Sequence, residues 1–226
     1  MRKMARPRIV SETRRQPEVR EPPSARDISP HDWLSKESMA DYRHAVATDR
    51  PLAMYLSSSA ERKIREHALR EARRRLEVMG FLLGEVYSWK GEVYTVVRDV
   101  GTTHLKSTSA KVRFDPKAFP KLFAELDDSG FDYVLTGWYH SHPGHTCFLS
   151  KTDLDTQRTM FDQPYHSAIV IDPLNHEIKA FRLAGENYEE ISFAVVEAPA
   201  KGRSGHKSVR TRKLKIMPVV EPTGLN

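Results

Sequence analysis

The chain has 226 residues, 36 Lys and Arg against 30 Asp and Glu, one cysteine, and 39% hydrophobic residues. A single cysteine excludes an intramolecular disulfide framework and fits a reducing compartment; no apolar run approaches the roughly 20 residues that span a bilayer, and the basic start lacks the apolar core of a secretory signal. A cytoplasmic protein with one ordinary domain and two tails is therefore expected.

The net charge of +6 resides in the ends: residues 1–30 hold eight basic and four acidic residues and 198–226 hold seven and one, leaving 21 basic and 25 acidic for 31–197. Solubilising tails account for this more simply than a nucleic-acid surface, because no basic groove is interleaved with aromatic residues.

Residues 1–30 alternate Arg, Glu, Pro and Ser with almost no apolar residue in phase, which predicts a disordered segment. Over 31–50, Trp33, Leu34, Met39, Tyr42 and Ala45 recur at helical intervals and predict a short helix or docked arm. The folded domain is expected over 51–197, followed by a basic tail over 198–226 in which Leu214–Met217 is the part able to dock.

Within the domain Pro51–Leu56 reads as a strand. Ser58 and Glu61 form a capping-box pattern, and Ile64, Ala68, Leu69, Ala72 and Leu76 extend a helix over about 59–76 whose other face, Arg62 to Arg73, is solvated. Glu77–Gly84 is a nearly continuous apolar run headed by a carboxylate, which predicts a central two-sided strand. Glu92–Val100 pairs with it through a turn at Trp89-Lys90-Gly91. A polar loop follows over Gly101–Lys111, a helix over Pro116–Leu126, and a strand over Tyr133–His140. A helix over 151–162, a strand over Tyr165–Ile171, a turn at Asp172–Asn175, its hairpin partner His176–Leu183 and a last strand Tyr188–Val196 complete the domain.

The chemistry concentrates in Gly137–Asp153, GWYHSHPGHTCFLSKTD. His140 and His142 stand two apart at the end of a strand, so both imidazoles point to one side. Pro143-Gly144 turns the chain, and the next helix returns Asp153. Two imidazoles and a carboxylate suit Zn²⁺, and three protein ligands leave a position for water. Ser150-x-x-Asp153 is also a helix-capping pattern. An acceptor for the water proton is still needed, and Glu77 is the remaining candidate; Ser150 is placed to donate to an oxyanion. Cys147 is expected in the packing. Trp138 and Tyr139 are expected to be core or site wall.

The run Glu77-Val-Met-Gly-x-x-x-Gly84, then His140-Ser-His142-Pro143, seven residues from His142 to Ser150-x-x-Asp153, resembles the JAMM motif of MPN-domain metalloproteases, with GWYHSHPG and LSxxDxxTQ most similar to the proteasome-lid deubiquitinase and the signalosome deneddylase. The resemblance covers about residues 50–196 and implies an α/β (α+β) MPN fold, cytidine-deaminase-like, with a central mixed, curved sheet flanked by helices. It implies zinc on His140, His142 and Asp153, Glu77 as general base, and Ser150 at the oxyanion. Its substrate would be the isopeptide bond between the Gly-Gly end of ubiquitin, or a ubiquitin-like modifier, and a lysine. Gly101–Arg113 occupies the place of the insertion that holds the modifier's tail, and Thr102, Thr103, Trp138 and His145 are the candidate substrate contacts. A proteasome-type assembly or a partner MPN subunit is the expected company, although the absence of the lid subunits' long carboxyl-terminal helices suits a stand-alone archaeal member. Two alternatives keep the fold and change the function: a catalytically silent MPN scaffold, and a hydrolase processing a sulfur-carrier or other ubiquitin-like precursor.

Overall fold

The computed structural model describes residues 7–10, 17–102, 133–197 and 215–218. The expected helix over 116–126 and most of the 101–113 insertion lie outside them.

Among the described residues, ten strands form one mixed sheet. In chain order they are β2 (Glu18–Val19), β3 (Ile28–Ser29), β4 (Met54–Ser57), β5 (Met79–Trp89), β6 (Glu92–Gly101), β7 (Val134–Ser141), β8 (Ser167–Asp172), β9 (Glu177–Ala184), β10 (Asn187–Ile191) and β11 (Phe193–Val196). Their spatial order is β10-β9-β8-β7-β5-β6-β4-β11-β3, with β2 beside the far end of β5. A separate antiparallel pair joins β1 (Pro7–Val10) to β12 (Lys215–Pro218). The helices among the described residues are α1 (Lys36–Val46), α2 (Ser58–Ala72) and α3 (Lys151–Met160), and none of them is long and apolar enough to cross a membrane.

The strand expected over 188–196 is two. Only Ser192 separates β10, at one end of the strand order, from β11, near the other end. Consecutive strands can occupy those places only if the sheet curls until its ends are neighbours, and Arg182 of β9 accordingly donates to the Ala53 carbonyl beside β4 at 2.7 Å.

Period-two alternation divides the core between the two faces of this curved sheet. Phe81, Leu83, Trp138, Ala168 and Val170 pack with Cys147, Leu149 and Phe161 on one side. Leu82, Tyr139, Ile169 and Ile171 pack on the other against α2, through Ala60, Ile64 and Ala68. These recur every four residues, and the alanines let the helix lie close to the strands. The N-cap of α2 is Ser57, whose hydroxyl accepts the Ala60 amide at 3.2 Å. Ser58 is itself the first helical residue, and Glu61, its expected capping partner, is engaged instead by His31 at 2.9 Å and Arg65 at 2.6 Å. The helix also ends four residues earlier than its apolar pattern, and Arg75, at φ 53°, turns the chain so that Glu77 lies in an extended link ahead of β5.

Residues 17–30, expected to be disordered, form an extended arm along the sheet. β2 pairs with Tyr87–Ser88 of β5 and β3 with Val195–Val196 of β11. The Arg20 guanidinium donates to the Tyr87 hydroxyl at 2.6 Å, and Tyr94 donates back to the Arg20 carbonyl at 2.9 Å. Backbone pairing at open strand edges offsets the ordering entropy that composition alone left uncovered.

A central βαβ unit positions the candidate site. β7 and β8 are adjacent and parallel, α3 is the crossover between them, and β7 is held on its other side by antiparallel β5. Ligand sites in such units form at the carboxyl ends of the strands, where the crossover begins. Gly137 permits the close β7–β8 approach: its φ is 149°, and a Cβ there would lie 1.9 Å from the Ser167 carbonyl oxygen.

Candidate metal centre

His140, the penultimate residue of β7, His142 just beyond it and Asp153 in the first turn of α3 converge. Nε2 of His140 lies 3.0 Å from Nε2 of His142, and Asp153 Oδ2 lies 3.5 and 3.7 Å from them. Ligands about 2.0–2.1 Å from a tetrahedral ion stand about 3.3 Å apart, so the three donor atoms match one face of such a shell. Both rings are buried, at 2% and 5% exposure.

Each donor is oriented by its surroundings. Thr146 presents a carbonyl 3.2 Å from His142 Nδ1; a carbonyl only accepts, so the proton sits on Nδ1 and Nε2 keeps its lone pair for an ion. His140 is held differently. Among the described residues its buried Nδ1 has no hydrogen-bond partner, and its ring lies flat on Trp138 at 4.5 Å and 11°. Trp138 is fixed in turn by Gln157 of α3, whose Oε1 accepts the indole N–H at 2.6 Å while its amide donates to the Phe161 and His166 carbonyls at 3.0 and 3.3 Å. Gln157 thereby ties the helix bearing Asp153 to the strand bearing His140.

Ser150 caps α3 in both directions: its hydroxyl accepts the Asp153 amide at 3.3 Å, and its amide donates to Asp153 Oδ2 at 2.8 Å. Burial works to raise the Asp153 carboxyl, but His140 and His142, followed by the Ser150 contact, outweigh it and hold the pKa far below the usual carboxylate range. Burial works to lower His142, yet Asp153 and, more weakly, Glu77 leave it raised. The donor set therefore fits a divalent cation in its chemistry, spacing and charge.

Glu77 is half-buried and acts on His142 by its charge. Its position follows from strand register: Met79 pairs with His140, and the Ser141 amide donates to the Val78 carbonyl at 2.9 Å. The Val78 amide returns a bond to the Ser141 hydroxyl at 3.0 Å. Glu77 precedes Val78 just outside the paired ladder, near enough for its charge to reach His142. The structure therefore brings Glu77, His140, His142, Ser150 and Asp153 to one end of β7.

The expected substrate contacts separate. Trp138 is fully buried, as expected of core or site wall, and the candidate substrate contact is corrected: alternation along β7 puts it on the same face as His140, where it stacks behind the ligand within the core. His145 and Thr102 are exposed, and Thr103 lies outside the described residues. Cys147 is packed as expected, its thiol 3.2 Å from the Val170 carbonyl and pushed up in pKa by burial. Tyr139 is also core, its hydroxyl 2.8 Å from His67 Nδ1.

Sequence reasoning missed Asp172. Read as a turn residue, it is fully buried at the end of β8. Its Oδ1 accepts the amides of Gly144, Leu174 and Asn175 at 2.8, 3.0 and 3.2 Å; its Oδ2 accepts the Thr146 amide and the Asn175 side-chain amide, both at 2.8 Å. Burial works to raise its pKa, but these backbone donors hold it below the ordinary carboxylate value. The signal available in the sequence was a carboxylate ending the apolar run Ile169–Ile171.

Comparison with known proteins places these residues in context. The sequence family described as JAB1/Mov34/MPN/PAD-1 ubiquitin protease matches residues 49–163. The chain is 38% identical over 153 residues to the 26S proteasome regulatory subunit RPN11 of Eremothecium gossypii, covering 62% of this chain and 47% of the relative. It is 37% identical over 139 residues to the ubiquitin carboxyl-terminal hydrolase RPN11 of Saccharomyces cerevisiae, covering 58% and 43%. It is 36% identical over 162 residues to COP9 signalosome complex subunit 5 of Debaryomyces hansenii, covering 67% and 32%. The matched regions span less than half the length of these relatives. The matched segment, half of the chain, runs from just before β4 to just past α3, and the chain belongs to the JAB1/Mov34/MPN/PAD-1 ubiquitin protease family.

Proposed function

We propose that this protein is a zinc-dependent isopeptidase that hydrolyses the bond between the carboxyl-terminal glycine of ubiquitin, or a ubiquitin-like modifier, and a substrate lysine. The observation that carries the reading is the convergence of His140 Nε2, His142 Nε2 and Asp153 Oδ2, with the His142 proton directed to the Thr146 carbonyl. Membership of a ubiquitin protease family supports the substrate class.

His140, His142 and Asp153 would hold the zinc, which supplies Lewis acidity and makes water acidic near neutral pH. Glu77, whose charge reaches His142, accepts the proton of the attacking water and returns it to the leaving lysine amine. The Ser150 hydroxyl accepts the Asp153 amide, so its own O–H can be donated to the developing oxyanion. The burial of His140 and His142 keeps these charge interactions from being screened by bulk water. Exposed Thr102 and His145 remain candidate contacts for the modifier's tail. An assembly of the kind named for the relatives, or a second MPN subunit, is the proposed partner.

The test is cleavage of linear and lysine-linked modifier fusions by the full chain. Hydrolysis should stop with a chelator, return with zinc, and fall about 10²–10⁴-fold in Glu77→Gln with zinc still bound. Hydrolysis that survives zinc removal overturns the mechanism. Failure to cut any Gly-Gly conjugate would point to a binding scaffold.

A further inference from the structure

We infer that Asp172 is a positioning residue that sets the protein's affinity for zinc by clamping the 143–146 loop and, through the Thr146 carbonyl, the tautomer of His142. The inference rests on reading His140, His142 and Asp153 as the metal set.

Three features of the loop carry it. Gly144 and Thr146 both have positive φ, 83° and 63°. For a threonine, branched at Cβ, that conformation is strained and persists only where the surroundings over-determine it. What holds it is the pair of bonds from the Gly144 and Thr146 amides to the two Asp172 oxygens, both at 2.8 Å. Beyond that lies the bond that matters for the metal, from His142 Nδ1 to the Thr146 carbonyl at 3.2 Å. Asp172 thus stands two hydrogen bonds from a ligand nitrogen and is joined to it by a backbone that relaxes elsewhere if released.

The same carboxylate also anchors the β8–β9 turn through Leu174 and Asn175. A carboxylate accepts on both oxygens and an amide on only one. In Asp172→Asn the amide oxygen will face the Oδ1 side, where three N–H groups converge, and the NH₂ will face the Thr146 amide. Donor then meets donor, Thr146 leaves its left-handed conformation, and its carbonyl leaves His142.

The experiment measures zinc affinity of wild type, Asp172→Asn and Asn175→Ala by competition with a chromogenic chelator, at a temperature where circular dichroism shows all three folded. Imidazole ¹⁵N spectra of the metal-free proteins are recorded at alkaline pH, where the rings are neutral. Asp172→Asn should bind zinc about 10–100-fold more weakly, the range for losing an outer partner of a metal-binding histidine, and His142 should lose its fixed Nδ1–H tautomer. Asn175→Ala, which removes only the side-chain amide bond from the turn and leaves the Leu174 and Asn175 backbone bonds in place, should change zinc affinity less than about threefold, within the scatter of an ordinary surface substitution. Affinity within about twofold of wild type in Asp172→Asn, or an equal loss in Asn175→Ala, overturns the inference. If wild type binds no zinc, the metal reading fails, and the His142 spectrum alone decides the clamp: an unchanged tautomer in Asp172→Asn overturns it.

Discussion

His166 should govern the acid stability of the domain. It is 1% exposed at the junction of α3 and β8. Its Nε2 donates to the Leu135 carbonyl at 3.1 Å, and its Nδ1 accepts the Gln163 amide at 3.2 Å. Both nitrogens of a neutral ring are thereby used, and a second proton would set Nδ1–H against N–H. Burial pushes the pKa down to about 4, against about 6.5 in the unfolded chain. Between these values the unfolded state binds a proton that the folded state refuses, so stability rises with pH across that window. The contribution is complete above about pH 6.5 and lost by about pH 4. At 1.36 kcal/mol per pKa unit the loss is ~3 kcal/mol, a large share of a domain's net stability. Urea unfolding at several pH values should show this slope in wild type. In His166→Gln, whose amide can still donate to Leu135, the slope should be flatter by about that amount. His67, also lowered by burial, contributes to both proteins and cancels in the difference. A His166 ring that titrates near its ordinary value by NMR, or a pH slope unchanged by the substitution, would refute the reasoning.

Two substitutions separate the parts of the candidate site. Ser150→Ala removes the proposed oxyanion donor and the α3 cap together; kcat should fall about 10²–10³-fold, and urea unfolding should register ~1 kcal/mol lost from the cap, whereas a stability loss with kcat intact would assign Ser150 to capping alone. Ser141→Ala leaves the Val78 amide without its side-chain acceptor, which should cost about 1–3 kcal/mol for a buried donor. Because Val78 precedes β5 and follows Glu77, kcat should drop while zinc affinity holds, and parallel losses in both would count against the register account of Glu77.

The ligand pattern was legible in the sequence because it is local. His140 and His142 follow from strand periodicity, Asp153 from the first turn of the next helix, and Ser150 from its capping spacing, all within fourteen residues. The main strands from Met54 to Ala184 were legible for the same reason: a half-buried or fully buried strand writes its alternation or its apolar run into consecutive residues. The arm over 17–30 was not legible, since strands of two residues have no period and their stability comes from sheet edges that exist only once the domain has folded. The split at Ser192 was hidden because two consecutive strands with similar composition read as one, and only the curl of the sheet sends them to opposite ends of the strand order.

By itself, then, the sequence determined the residue types, their spacing along β7 and α3, and the family. Tertiary structure decided what surrounds them. Glu77 is brought near His142 by the pairing of β5 with β7, in which Met79 stands opposite His140, sixty-one positions further along the chain; Trp138 turns inward to carry His140; Asp172 changes from a turn residue into a buried anchor of the metal loop. Ligand identity is written in local order, because an ion needs a few donors within a few ångströms. The orientation of those donors depends on contacts between distant segments, which no window of sequence contains.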